Sequence, residues 1–138
     1  MAKIVKVWFE SGRICVMTDD GQQLSRPLEA FPYLKEATDD QRRDFRIGKF
    51  GDDIRWDTID EDIHISSFYE ATEPDFENEV GRIFKKFPQL NVSEMARYMG
   101  INKSLLAKYI YGIKKPSPER MQQIKTAIHS VGEQLIAV

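Results

Sequence analysis

The chain has 138 residues, 41% hydrophobic and 30% charged, with a net charge of −2. That is enough for one ordinary domain or two small ones, with the composition of a soluble globular protein. No apolar run approaches the ~18 residues of a transmembrane helix. The opening MAKIVKVWFE alternates and does not form the apolar block of a signal peptide. Cys15 stands alone, which excludes an internal disulfide and leads us to expect a reducing cytoplasm.

In chain order, the first half has the period of strands. Ile4, Lys6 and Trp8 alternate with Val5, Val7 and Phe9, and Ser11-Gly12 supplies a turn. Arg13–Thr18 is rich in β-formers, Asp20-Gly21 is a hairpin turn signal, and a third strand is predicted over Gln22–Arg26, ending at Pro27. Pro32 suits the start of a helix over Tyr33–Phe45. A second hairpin is expected with arms Phe45–Phe50 and Ile54–Trp56 around Gly51-Asp52-Asp53. The expected fold of residues 1–70 is therefore a small α+β domain on a mostly antiparallel sheet. Trp8 and Trp56 are expected in its core.

Residues 71–138 have the period of helices, after a hinge near 66–74. Phe76, Val80, Ile83, Phe84 and Phe87 form one apolar stripe, with Thr72 as cap, Pro74 in the first turn and Pro88 past the end. A second helix is predicted over Ser93–Met99, capped by Ser93 and stopped by Gly100. A third runs from Asn102 or Lys103 to Tyr111 and ends at Gly112. A fourth starts at Ser117-Pro118 and carries Met121, Ile124, Ile128, Val131 and Leu135.

Charge is divided between the halves. Residues 1–70 hold 10 Lys/Arg against 15 Asp/Glu, whereas 91–130 hold 7 Lys/Arg against 2 Asp/Glu. A basic half beside an acidic one points to a polyanion partner for the former. The second and third helices, joined through a glycine, make a helix-turn-helix unit. On the third helix, Leu106, Tyr109, Ile110 and the following Ile113 are expected in the core. Lys103, Ser104, Ala107, Lys108 and Tyr111 are expected on the open side. Lysine donates to guanine O6/N7, serine donates or accepts, and alanine permits close approach or meets a thymine methyl. Lys114 and Lys115 follow where a loop would meet phosphates. Ser93 and the amides that start the second helix are a further phosphate site.

The segment SEMARYMGINKSLLAKYIYGIKKPSPERMQQI resembles the lambda-repressor-like, Xre-type helix-turn-helix family. It does so through the Ala96–Gly100 spacing, Ile101, Leu106 and the Gly112–Ser117 exit. The resemblance spans about residues 74–136 and implies an all-α DNA-binding domain whose third helix enters the major groove. It implies that Lys103, Ser104, Ala107 and Lys108 face bases, and that Ser93, Tyr111, Lys114 and Lys115 face the DNA backbone. The chain departs from the family where Gln is common at the starts of these helices and Asn before the glycine. The first half is similar to a widespread family of short bacterial domains of unknown function. It shares the initial strand, Gly12-Arg13-Ile14, the Asp20-Gly21 turn and the stretch Ile54–Ile63. That similarity implies a small companion protein, in an arrangement resembling toxin–antitoxin modules.

Simpler accounts exist for each feature. The helical hairpin can merely pack, or contact protein. Asp57, Asp60, Glu61 and Asp62 lack the spacing of a calcium loop and are expected to cap turns or stay solvated. Cys15 is expected as a buried inert thiol and His64 as an ordinary histidine; His64 and His129 have no ligand partners at metal spacing. The expectation is a cytoplasmic, non-enzymatic DNA-binding transcriptional regulator without cofactor or metal, an antitoxin-like autorepressor. Its expected partners are double-stranded DNA, a second copy in a homodimer and a small companion protein. The alternative is an interaction module whose acidic domain binds a companion while the helices support it.

Overall fold

Two short-range turns organise the first sheet. β1 (Ile4–Glu10) and β2 (Arg13–Thr18) are joined by Ser11 and Gly12, both at positive φ (51° and 73°). This two-residue turn twists with the strands it joins. β3 (Gln23–Pro27) follows the turn at Gly21, giving the antiparallel order β1-β2-β3. β1 is not a regular alternation. Ile4 faces Thr18 while Lys6 faces Met17, so Val5 is an extra residue in a bulge. The bulge reverses the parity. Ile4 before it and Val7 and Phe9 after it all reach the core, while Val5 is 56% exposed. It also turns Trp8 out of the expected core. The half-buried indole lies under the Lys6 ammonium at 5.2 Å and donates Nε1–H to Glu10 at 3.2 Å.

The computed structural model describes residues 2–138. Where one helix was predicted, there are two: α1 (Pro32–Glu36) and α2 (Asp39–Arg43). Ala37 is extended, and Thr38 starts α2 through a capping box, accepting from the Gln41 amide while the Gln41 side chain accepts from its own. The Thr-x-x-Gln pattern is a start signal of its own and divides the predicted helix.

The second sheet is β4 (Arg46–Ile47), β5 (Asp53–Trp56) and β6 (Glu61–His64), antiparallel in that order. β4 is short because the chain turns at Gly48, whose amide bonds the Asp53 carbonyl. The sequence around His64 suits either a strand or the start of a helix, and it forms the strand β6. Ile63 pairs with Ile54 and is fully buried. Ile14, Val16, Leu34, Ile54, Trp56 and Ile63 form the centre of this core. The Trp56 indole is satisfied by the Arg42 carbonyl at 2.8 Å.

This first unit ends at Pro74, four residues beyond the boundary drawn from the sequence, because two arginines hold the extended segment 70–73. Arg26, only 1% exposed, donates to the carbonyls of Glu70 (2.9 Å) and Thr72 (2.7 Å). Arg13 grips the Glu73 carboxylate with both terminal nitrogens, at 2.9 and 3.0 Å. Thr72 and Pro74 are therefore not the start of a helix.

The second unit, Asp75–Val138, holds α3 (Glu79–Lys86), α4 (Val92–Met99), α5 (Lys103–Ile110) and α6 (Pro118–Ile136). Asn78, not Thr72, caps α3 by accepting from the Gly81 amide at 2.8 Å, which leaves Phe76 and Phe87 outside the helix and exposed. The core joins all four helices through Val80, Phe84, Met95, Ala96, Leu106, Tyr109 and Ile124. Ser117 caps α6 and Pro118 opens it, as expected. No helix is long and apolar enough to cross a membrane.

Candidate nucleic-acid interface

α4 and α5 are joined by Gly100, Ile101 and Asn102. Gly100 takes φ 72°, and its amide and that of Ile101 close α4 on the carbonyls of Arg97 (3.1 Å) and Ala96 (3.0 Å). This left-handed closure turns the chain sharply without leaving the last carbonyls bare. Half-buried Ile101 packs into the core, and Asn102 at once caps α5 by accepting from the Ser104 amide at 2.7 Å. The relative placement of the two helices thus depends on one left-handed glycine, one apolar anchor and one cap.

The start of α4 differs from expectation. Its cap is Asn91, whose side chain accepts from the Glu94 amide at 2.9 Å. Ser93 lies two positions into the helix, half-buried, in the first turn but not at the cap. Both residues are good caps. Asn91 takes the role because it follows Leu90, which turns back on Phe87 and packs into the core.

On α5 the expected open set divides. Leu106 (0% exposed) and Tyr109 (5%) are buried as expected, but so is Ala107 (7%). At 3.6 residues per turn Ala107 stands about 60° from Ile110 and about 40° from Tyr111, on the border between the two arcs, and packing closes over it, so it offers no surface to a thymine methyl. Ser104, Lys108 and Tyr111 fall within about 60° of one another on the opposite arc. Lys103, in the first turn, is half-buried, as are Ser104 and Lys108. Tyr111 is committed to a packing role, with its ring edge-to-face with Phe76 at 5.7 Å.

After α5, Gly112 takes φ 72° where an added Cβ would strike the Asp75 carbonyl. The amides of Ile113 and Lys114 fold back on the Lys108 carbonyl at 3.0 and 3.3 Å. Lys114 and Lys115 leave this tight turn exposed, and among the described residues neither they nor Lys108 join an ion pair. A residue not singled out in the sequence holds the far end of α5. Asn78 caps α3 with its oxygen and donates with its nitrogen to the carbonyls of Asp75 (2.7 Å) and Ile110 (3.1 Å). The available signal was a cap-forming asparagine two residues before Val80.

The other candidates resolve into local structure. Asp57 accepts from Arg46 (3.3 Å) and Arg55 (3.2 Å), and Asp60 from Arg55 (2.8 Å). The Arg55 hydrogen bond holds the Asp57 carboxyl below its ordinary range. Those carboxylates face cations of the protein. Cys15 is buried, and burial pushes its thiol up, away from the reactive thiolate. His64 accepts from the Ser66 amide at 3.1 Å and caps a 3-10 turn over Ile65–Tyr69.

Residues 4–74 match the family described as "Protein of unknown function (DUF2442)", and the chain belongs to it. No match is found among curated proteins. Among solved structures the chain is similar to "Putative DNA Binding Protein NE0471" from Nitrosomonas europaea ATCC 19718. The two are 12% identical, with 90% of this chain and 84% of that one covered, at a TM-score of 0.36. So slight a likeness bears on neither fold nor function.

Proposed function

We propose that residues 75–138 form a lambda-repressor-like helix-turn-helix that binds double-stranded DNA, and that the chain is a transcriptional regulator. The observation that carries this reading is the division of α5. Its packed arc anchors the helix, while Ser104 and Lys108 on the other arc lead to the exposed Lys114 and Lys115, which join no ion pair among the described residues. In this account α5 lies in the major groove. Lys108, Ser104 and Lys103 meet base edges, and Lys114, Lys115 and the first turn of α4 with Ser93 meet phosphates. Two copies would set two such helices about one DNA turn, ~34 Å, apart. The protein acts by binding and not by catalysis. Resemblance of the first unit to domains found beside small companion proteins supports an antitoxin-like autorepressor.

The test is binding of the purified chain to its own upstream DNA and to unrelated DNA at two salt concentrations. Preference for its own DNA by orders of magnitude is expected. Lys108→Ala should erode that preference by about 1–3 kcal/mol, whereas Lys114→Ala should weaken both DNAs alike. Absence of binding to either DNA at low salt would overturn the proposal and favour the interaction module, in which the helices support a companion-binding first unit.

A further inference from the structure

The open edge of β1 has the pattern of a self-complementary strand. β1 is an outer strand of its sheet, with β2 on one side only. The turn at Ser11-Gly12 makes Glu10 and Arg13 the first hydrogen-bonded pair. Counting back along the ladder, Trp8 and Lys6 also direct their amides and carbonyls to β2, and Val7 and Phe9 direct theirs outward. The start of the strand is covered, since the Ile4 amide bonds the Gly51 carbonyl at 2.7 Å. From Lys6 to Glu10 no such cover exists among the described residues. A cleft of about 460 Å³ is lined by residues 7–9 together with Asp39, Arg42, Arg43 and Phe45.

We infer that this edge pairs antiparallel with the same edge of a second copy, about a two-fold axis at Trp8. In that register Val7 stands opposite Phe9 of the other copy, and Phe9 opposite its Val7. These are the positions whose backbone groups point outward, so both form hydrogen-bonded pairs. Trp8 meets its own counterpart at a non-hydrogen-bonded position, where side chains stand closest. Lys6 meets Glu10, and Glu10 meets Lys6. The five residues KVWFE are basic at one end, acidic at the other and apolar between, so one symmetric register satisfies backbone, ring and charge together.

Charge complementarity decides between this and the opposite view, that the edge is blunted against pairing. A bulge at Val5 and a lysine at position 6 are ordinary edge protections. A lysine guards an edge when the incoming strand brings it no counter-charge, and the bulge at Val5 lies outside the Lys6–Glu10 stretch. Here the antiparallel arrangement sets unlike charges together twice. Lys6, Trp8 and Glu10 already lie together on one face through the 5.2 Å ammonium–ring contact and the 3.2 Å indole–carboxylate bond. Pairing therefore asks for little further ordering of their side chains. The result is an isologous contact and a continuous six-stranded sheet.

The inference does not depend on DNA binding, and its test is separate. Sedimentation equilibrium of the full chain at tens of micromolar should show a dimer. Lys6→Glu and Glu10→Lys each create two like-charge pairs per dimer, and each should weaken association roughly ten-fold or more. Mixed one to one, these variants should form a heterodimer, because every position 6 then faces an opposite position 10. The double variant should dimerise like the unaltered chain. Circular dichroism of each variant confirms that it is folded. Lys108→Ala should leave sedimentation unchanged. A monomeric unaltered chain, or single variants that dimerise undiminished, would overturn the proposal. So would a mixture that fails to restore pairing.

Discussion

In the first unit all six arginines (Arg13, Arg26, Arg42, Arg43, Arg46 and Arg55) stand within ion-pair distance of a carboxylate. In the second, Lys108, Lys114 and Lys115 have no such neighbour among the described residues, although Arg97 and Lys125 do. Both units are rich in cations, and the contrast lies between arginines that are already spoken for and these three lysines, which are not. An arginine held by a fixed carboxylate must break that pair before it meets a phosphate. An exposed lysine gives up only water and a loosely held counterion. Net charge alone misses this. The first unit is acidic because its carboxylates outnumber its cations, and each of its arginines stands beside one of them. The second is basic where α5 and its following turn are least constrained by partners.

The contrast can be broken most severely from within the first unit. Trp56→Ala removes a fully buried ring and its bond to the Arg42 carbonyl, and should cost about 3–5 kcal/mol. Urea unfolding read through the remaining Trp8 measures it. Arg26→Ala comes next. It leaves the carbonyls of Glu70 and Thr72 without their buried donor, at about 1–3 kcal/mol for each group that water cannot reach. Thermal unfolding gives the loss. Limited proteolysis should show new cleavage at residues 70–73, since Arg26 holds the backbone of that segment and leaves Arg13 only the Glu73 side chain.

Glu73→Gln is smaller and depends on pH. The Arg13 hydrogen bond holds the Glu73 carboxyl below its ordinary range. A depressed folded pKa means that the stabilisation is complete above the unfolded value and is lost as pH falls through the folded one. With Glu73 more than half exposed, solvent screening limits the pair to about 0.2–1 kcal/mol. The variant should be less stable than the unaltered chain at neutral pH. The two unfolding curves should converge as the solution is acidified below the ordinary glutamate range.

The hairpin at Ser11-Gly12 and the full extent of β2 were legible because turn chemistry and β-rich composition act locally. So were α5 and α6, with Asn102, Gly112 and Ser117-Pro118 as punctuation. What was not legible needed a partner distant in sequence. β6 exists because Ile63 pairs with Ile54, and EDIH alone does not show this. The bulge at Val5 appears only in register against β2, and it decides that Trp8 lies outside the core. Competing local signals misled in other places. Thr38 split the helix predicted over Tyr33–Phe45, and Asn78 and Asn91 took the caps assigned to Thr72 and Ser93. At the candidate interface Leu106 and Tyr109 are buried as drawn, but two residues of the expected open side, Ala107 and Tyr111, are taken into packing. Ala107 is small enough to suit either arc, so its size gave no sign that it was packed.

The mildest substitution for stability is the most direct test of the contrast. Lys114 and Lys115 are exposed and pair with no carboxylate among the described residues, so replacing both with alanine should alter unfolding by less than about 0.5 kcal/mol. If both contact phosphates, the same double variant should make the fall of DNA affinity with salt shallower by about two in log–log slope, at roughly 0.9 per contact. Titrations of unrelated DNA across several salt concentrations measure the slope, and a thermal melt measures the stability. An unchanged slope would mean that these lysines stay in solvent when DNA is bound. A marked loss of stability would mean that they are engaged within the protein, as the arginines of the first unit are. The expected combination, stability kept and slope reduced, is what separates a cation held in reserve for a polyanion from one that maintains the fold.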